Sequence, residues 1–538
     1  MSHDHAPREG LDRPGMTTSL WTATSAPPEL TRVADPTADI DVVVVGAGIA
    51  GMTAAYHLAR EGRRVVVLDD GPVGGGETGQ TSAHLSPILR ERYKDLESMH
   101  GLEGLRAIAA AHMGAVDDIE EISAREGIDC GFERVDGYLV LGEGDDAKLL
   151  EEELEALSRA GVDAELVSRC MPGGVDLGPA IRVRRQARFH PLRYVTGLAK
   201  AVERYGGAVA TDVHVVSVKG DGNAPVEVET RDGRRFVAKD VVVATNSPIH
   251  TRVAYHTKQA AYRTYIVGLS VPKGTLPGLV WDTEDPYHYV REAEGATEGE
   301  AVLVVGGEDH KTGQDESPEG RWSKLETWAR ARFPQAGAVA WRWSGQVMES
   351  IDAVGFNGKS VSEERVWVIT GDSGNGLTNG TLGGRLVADG VAGRDNRWAA
   401  AFKPSRIPVR EAGEWVKENL NVATQMAHWL KGGDVEGVDD IAPGEGAVIS
   451  HGLNKLAVYR DPVGQLHTCS AVCPHLKCLV AWNSAEKSWD CPCHGSRFSP
   501  EGEVLNGPSA EGLTRVEGVS LPEGDAVPVA PAMAPKLA

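Results

Sequence analysis

The sequence predicts an α/β chain that ends in a small all-β domain, and three observations carry that expectation. A run of valines turns through closely spaced glycines into an apolar helix near residue 46. Helical and strand-like patterns then alternate as far as about residue 409, where prolines and a helix-like stretch intervene. Beyond about residue 436 strands are short and turns frequent, and five of the seven cysteines crowd into residues 469–493.

At 538 residues the chain exceeds a single small core, so two or three domains are expected. Hydrophobic residues at 41% and charged residues at 25% fit an ordinary globular protein. A net charge of −22 repels phosphate backbones, which argues against nucleic acid or an anionic membrane as partner. Residues 42–59 carry no formal charge over a length that could cross a bilayer. Gly46, Gly48 and Gly51 directly after the valines suit a buried strand turning into a helix instead, so no membrane span is expected. Residues 1–15 are polar, contain prolines and have no apolar core; a secretory signal is not expected there, and a cytoplasmic location is.

Residues 1–36 read as a loose arm rich in Pro, Thr and Ser. From Asp39 a strand–turn–helix–strand pattern runs to Asp70, with Gly62 closing the helix. Residues 102–126 and 145–160 have helical periodicity, and residues 209–218, 226–230 and 236–244 read as strands. Tyr, Trp and His concentrate in residues 255–310, and the strand Val366–Thr370 runs into a glycine-rich turn and a helix. A helix-like stretch over residues 410–430 stops at Gly432 and Gly433.

The first chemical signal is Gly46-Ala47-Gly48-Ile49-Ala50-Gly51, a G-x-G-x-x-G that follows one strand and opens a helix. Glycine there permits a tight turn, lets the backbone approach a pyrophosphate and lets helix pack on strand, while the helix N-terminus offers amide donors. The next strand, residues 65–68, ends at Asp69, at the expected distance for an acid that bonds ribose hydroxyls. This motif does not by itself choose between FAD and NAD.

Two later segments do bear on the choice. Residues 75–85, with Thr81, Ser82 and His84, and residues 370–378, with Gly371, Gly374, Asn375, Gly376, Leu377 and Thr378, resemble the D-amino-acid oxidase (DAO) superfamily. That superfamily includes sarcosine, dimethylglycine and γ-glutamylputrescine oxidoreductases. The resemblance covers roughly residues 40–405 and extends to residues 240–246 and to Val215, which matches a position near adenine. It implies FAD, with the first segment along the pyrophosphate and flavin and the second beneath the pyrimidine end of the ring. A helix N-terminus there would stabilise the anionic reduced ring. His84 falls where some family dehydrogenases attach FAD covalently; a neutral His near the flavin is the simpler expectation. With no second G-x-G-x-x-G after a strand, no separate NAD(P)H domain is expected, and a substrate should reduce the flavin directly.

The second signal is Cys473-Pro-His475 followed by Cys491-Pro-Cys493-His494-Gly-Ser496. A Rieske centre needs two thiolates on one iron and two imidazoles on the other. The pattern resembles the Rieske family, which implies Cys473, His475, Cys491 and His494 as ligands of a 2Fe–2S cluster. The same resemblance implies a Cys478–Cys493 disulfide bracing the cluster loops and a third loop at Gly507-Pro508-Ser509. Four Cys/His ligands would also suit zinc, but zinc modules normally begin with C-x-x-C knuckles, and these are not such knuckles. Ser496 matches a hydroxyl that donates to a cluster sulfur and raises the potential, and Phe498 stands where high-potential members have Tyr; an intermediate potential follows.

Together these resemblances imply an arm at 1–36, a DAO-like oxidoreductase at 37–409, a helical linker at 410–435, a Rieske domain at 436–528 and a tail at 529–538. Within the oxidoreductase, a Rossmann-like FAD-binding domain (about 37–95, 195–255 and 340–409) would interleave with an α+β substrate domain (about 96–194 and 256–339). The expected activity is oxidation of a C–N bond in an amine or N-substituted amino acid. Electrons would leave singly through the cluster to an external acceptor, whether ferredoxin, cytochrome or quinone. Candidate catalytic residues are Arg263 and Arg291 as carboxylate clamps and Tyr265, His310 and Lys311 near the flavin; Tyr287, His288, Tyr289 and Gln346 lie in the same resembling stretches. The alternatives are an electron carrier or reductase fed by a partner protein, and a flavin oxidase or monooxygenase with an auxiliary cluster. Gly371-Asp372 resembles the G-D of aromatic hydroxylases, whose following His and Pro are missing. Rieske oxygenation would need a mononuclear 2-His-1-carboxylate iron domain, and flavin occupies that part of the chain.

Overall fold

The computed structural model describes residues 15–518, apart from 252–254, 316, 408–411, 427–428, 430–431 and 453. The first fourteen residues and the tail expected at 529–538 lie outside the described residues. The strand Ile40–Val45 is buried along its whole length: Val65–Leu68 and Arg235–Val243 pair with its two edges in parallel, and its two faces pack into separate apolar cores. A strand covered on both faces has no polar side to keep, which accounts for valines in succession. The sheet runs Phe356–Lys359, Val366–Thr370, Arg235–Val243, Ile40–Val45, Val65–Leu68, Ala208–Ala210.

Two helices, Ile49–Arg60 and Gly376–Val391, pack side by side on this sheet. Glycines set their spacing: a Cβ on Gly384 would stand 2.8 Å from Ala54 N, and one on Gly380 would stand 2.9 Å from Ile49 Cγ2. The close approach brings both helix N-termini to one edge of the sheet, above the carboxyl ends of its parallel strands.

A second sheet is interleaved in sequence with the first. It runs from Val339–Ser350 through Gln259–Pro272, Glu300–Lys311, His288–Glu294, Leu279–Asp282 and Glu133–Val140 to Gly178–Arg188. The short strand His84–Leu85 ends this row by pairing with Gly178–Arg188, so the 81–85 loop hangs between the two sheets. The C-terminal part is all β. A three-stranded sheet (Glu445–His451, Asn454–Arg460, Leu466–Ser470) lies beside a four-stranded one (Ala481–Asn483, Ser488–Asp490, Arg497–Phe498, Val504–Asn506). No helix among the described residues is long and apolar enough to cross a membrane.

The N-terminal segment differs from the expected loose arm. Leu20 and Trp21 are buried in the main core. Ser19 caps a short helix, Leu20–Ala23, and Trp21 Nε1 donates to Thr81 O at 2.7 Å. The Arg291 guanidinium stacks on the Trp21 ring at 5.1 Å. One large aromatic ring is enough to anchor a stretch whose composition suggests disorder. Nor is the linker helix, Ala412–Met426, a free spacer: Glu418 pairs with Lys311 at 2.7 Å, and Val422 packs against the C-terminal core.

Trp21→Ala is expected to cost about 3–5 kcal/mol in denaturant unfolding; an arm that is loose in solution would give no change.

Candidate cofactor cavity and cluster site

A cavity of about 1400 Å3 opens at the carboxyl ends of the parallel strands, where ligands bind in folds of this kind. Gly46 turns the chain at φ +107°, and a Cβ there would lie 2.4 Å from Ala244 O. A Cβ on Gly51 would lie 1.9 Å from Gly46 O. The turn can therefore exist only with glycine at these two places. Thr78 Oγ1 accepts from Ile49 N at 3.0 Å, a contact the sequence motifs did not point to.

Asp69 lies on the cavity wall and accepts from Ala47 N at 2.5 Å and from Gly71 N at 2.9 Å. Enclosure by protein pushes its carboxyl up to about 7, and the neighbouring Asp70 adds to the effect. A ribose hydroxyl donating to this carboxylate would supply the partner that burial removes. At the opposite end Gly374, Asn375, Gly376 and Leu377 form the wall, with Asn375 Nδ2 donating to Ile88 O at 3.0 Å. Beside them, burial pushes Asp372 up to about 7.

Gly46, Gly48, Ile49, Ala50, Asp69, Thr81, Ser82, His84, Val215 and Gly374–Leu377 all line this one cavity. Three expected members do not. Gly51 sits beneath the turn, Gly371 packs against Phe356 and Gln259, and Thr378 bonds His112 Nδ1 at 2.8 Å. His84 lies on the wall with both ring nitrogens engaged: Ser82 Oγ is 3.0 Å from Nδ1, and Val290 O is 3.3 Å from Nε2. A carbonyl can only accept, so Nε2 carries the proton and Nδ1 accepts from the serine. Burial, helped by Arg291, lowers this imidazole to about 3 and keeps it neutral.

None of the five expected catalytic residues lines the cavity. Arg263, 1% exposed, faces Glu486 of the C-terminal domain at 3.4 Å and donates to Ser344 Oγ at 2.8 Å. Tyr265 is buried with its hydroxyl 3.0 Å from His310 Nε2, and His310 Nδ1 is 2.8 Å from Lys311 O. Lys311 is taken by Glu418. Arg291 donates to the carbonyls of Ala83 and Phe189, which fixes the 81–85 loop; burial lowers it to about 9. The wall is built instead by Thr264, Trp281, Tyr287, Tyr289 and Arg90. Arg90, which sequence reasoning passed over, stacks on Tyr262 and Tyr287 at 5.5 and 5.1 Å and pairs with Glu349 and, at 3.7 Å, Asp309. Its one sequence signal was its place five residues after the 81–85 motif.

In the C-terminal domain Cys473, His475, Cys491 and His494 are all buried and converge. The imidazoles of His475 and His494 stand perpendicular with centroids 5.1 Å apart. The two thiols are close enough for Cys491 to bond Cys473, which lowers the Cys473 thiol towards the thiolate. Burial, with His475 nearby, lowers His494 to about 4, and its Nδ1 is buried without a hydrogen-bond partner among the described residues. Cys478 and Cys493 form a disulfide beside them.

Two family descriptions match the chain: FAD dependent oxidoreductase (DAO) over residues 41–390 and Rieske [2Fe-2S] domain over residues 432–517. The chain belongs to the DAO family. It is 29% identical over 96% of its length to the whole of YhfW, named as a Rieske 2Fe-2S iron-sulfur protein of Bacillus subtilis (strain 168). It is 26% identical to γ-glutamylputrescine oxidoreductase of Escherichia coli (strain K12), over 67% of this chain and 85% of that one. Glycine oxidase from Geobacillus kaustophilus shares the fold with a TM-score of 0.57 at 20% identity, over 69% of this chain and all of that one.

This DAO oxidoreductase thus uses FAD and a Rieske 2Fe–2S cluster, and its residues fit both groups. Two helix N-termini, a glycine turn that any Cβ would fill and an acid at the second strand end suit the dinucleotide. Two sulfurs and two imidazoles, with His494 Nδ1 buried without a hydrogen-bond partner among the described residues, suit the diiron unit. The cluster domain also reaches the oxidoreductase cavity, whose wall includes Asn506, Gly507, Ser509 and Ala510 of the third cluster loop.

With both His84 nitrogens engaged, FAD is expected in the supernatant after acid precipitation of the holoenzyme; flavin retained in the pellet would show a covalent bond. Glu486→Ala strands the buried Arg263 charge and is expected to cost about 3–5 kcal/mol in chemical unfolding.

Proposed function

We propose that this oxidoreductase takes a C–N bond of an amine or N-substituted amino acid to an imine, which water hydrolyses, and releases the electrons singly to an external acceptor. The observation that carries this reading is the shared cavity: the dinucleotide turn at Gly46–Ala50 and the third cluster loop around Gly507 wall the same space. Bound FAD supplies a two-electron hydride acceptor and the cluster a one-electron carrier. Their adjacency favours a dehydrogenase over an enzyme that returns electrons to oxygen.

The residues around the substrate end support an amine. Tyr289 OH lies 2.7 Å from Thr264 Oγ1, and Tyr287 donates to Asp309 at 3.3 Å, giving a polar rim on an aromatic wall. Burial raises the Asp309 carboxyl, so this acid can hold a proton leaving the substrate nitrogen by way of the tyrosine. Each arginine on the wall has a contact within the protein. Arg90 faces Glu349 and Asp309, Arg231 faces Glu503 at 3.8 Å, and Arg92 donates to Thr283 O at 3.3 Å. At Arg90 a substrate carboxylate would compete with Glu349 and Asp309 for the guanidinium, a competition that an amine does not meet. The similarity to a γ-glutamylputrescine oxidoreductase supports the same class.

The test is an anaerobic screen of amines and N-methyl amino acids that follows flavin bleaching and the rhombic Rieske EPR signal together. Amines without a carboxylate are expected to bleach the flavin at least as fast as their carboxylated analogues, with the cluster signal rising in step. Bleaching without a cluster signal would break the relay, and no response to any compound would favour a carrier fed by a partner protein. Glu349→Gln removes one of the two carboxylates that face Arg90 and is expected to move the ratio of kcat/KM values about tenfold towards carboxylated substrates.

A further inference from the structure

In the C-terminal domain the two cluster imidazoles do not face solvent. His475 and His494 are 8% and 5% exposed, and both rings meet a third imidazole, His256 of the oxidoreductase, with centroids 4.8 and 5.8 Å away. His256 is itself 3% exposed, and its Nε2 lies 3.1 Å from Thr251 O. Gln346 also spans the boundary. Its Nε2 donates to Gly495 O at 2.7 Å, in the loop that carries Cys491 and His494. Its Oε1 accepts from Asn506 at 3.0 Å, and its backbone N donates to Glu77 at 2.6 Å. Gln346, Glu77 and Asn506 all line the dinucleotide cavity. Gly495 fits only because it has no side chain: at φ +80° a Cβ would stand 2.3 Å from Ala261 Cβ and 2.6 Å from Gln346 Nε2.

We propose that His256 and Gln346 seat the imidazole edge of the cluster on the oxidoreductase, so that this edge is the electron inlet from within the chain and is closed to quinones. The proposal rests on the reading of flavin and cluster as one relay and adds which side of the cluster does what. A small quinone would have to approach the imidazole edge closely to take its electron there; here His256 occupies that edge. The external acceptor is then a one-electron protein carrier that approaches from another side. One electron leaves the cluster for each that enters, so two passages clear the pair taken from each substrate, and the protons pass to solvent from the substrate side.

The seat is held at several further points, which argues against a domain that swings away in each cycle. His214 Nε2 lies 2.8 Å from Ala510 O, Gln314 donates to Pro492 O at 3.1 Å, Asn506 donates to Glu77 at 2.6 Å, and Arg263 faces Glu486. His256 and Gln346 are therefore positioning residues, acting through the cluster loops and not on substrate.

The experiment uses the holoenzyme with its flavin photoreduced anaerobically, so no substrate is needed. Cluster reduction is followed by rapid-freeze EPR, and a water-soluble quinone analogue is added to the reduced protein. In the unaltered protein the cluster is expected to fill from the flavin and its EPR spectrum to be unmoved by the analogue. Gln346→Ala and His256→Ala are expected to slow flavin-to-cluster transfer about tenfold or more and to let the analogue shift the spectrum. His256→Phe, which keeps a ring in place, is expected to leave the edge closed and guards against a variant that merely fails to fold. An analogue that shifts the spectrum of the unaltered protein, or transfer unchanged in both alanine variants, would overturn the seat and leave the relay standing. No flavin-to-cluster transfer in the unaltered protein would overturn the relay itself.

Discussion

A carboxylate with no exposure to water, Glu486, sits where three parts of the chain meet. Burying such a charge is costly unless every oxygen finds a donor. Thr17 supplies a hydroxyl at 2.7 Å and a backbone N–H at 3.2 Å, Ser344 a hydroxyl, and Arg263 a guanidinium at 3.4 Å. The donors come from the N-terminal segment and from the second sheet, while the carboxylate belongs to the cluster domain. Removing any one part strands a buried charge in another. The fusion is in this sense a single folded body, and the position of the cluster over the cavity follows from it.

The cavity shows the same economy at a smaller scale. Two helices approach closely because glycines line their contact, and that approach puts two N-termini at one sheet edge. The 81–85 loop is held over this edge by Trp21 from one side and Arg291 from the other, both bonding backbone carbonyls. Residues that looked like chemistry in sequence hold the frame that positions it. Arg291 and Arg263 are the clearest cases, each buried off the cavity wall and donating to fixed protein partners.

The cofactor motifs were legible because each works through local backbone. A glycine fingerprint before a helix and a C-x-H with C-x-x-H are contiguous, and their spacing alone carries the geometry. Side chains along the substrate strands were not legible, because a strand sends neighbours to opposite faces. Thr264 reaches the cavity while Arg263 and Tyr265 on either side of it face away, and Tyr287 and Tyr289 line the wall while His288 turns to stack on Trp328 at 4.4 Å. The bulge opposite Arg263 and Tyr265 puts its extra residue in Glu300–Lys311, so alternation is kept along this strand, and what the sequence left open was which of its two faces meets the cavity. The N-terminal segment failed as an expectation for another reason: composition says how soluble a segment is, not whether one Trp within it finds a pocket.

The amino-acid sequence by itself determined a dinucleotide turn, a Cys/His cluster and their order along the chain, since both are set by residue type at short spacing, and the family resemblance of the motifs implied FAD and a 2Fe–2S cluster. Only the tertiary structure decided which faces meet. That Gln346 touches the cluster loop, that His256 covers both imidazoles and that Arg90 reaches the cavity all depend on contacts between residues far apart in the chain. Such contacts are selected by burial and strand register, which no short stretch of sequence encodes.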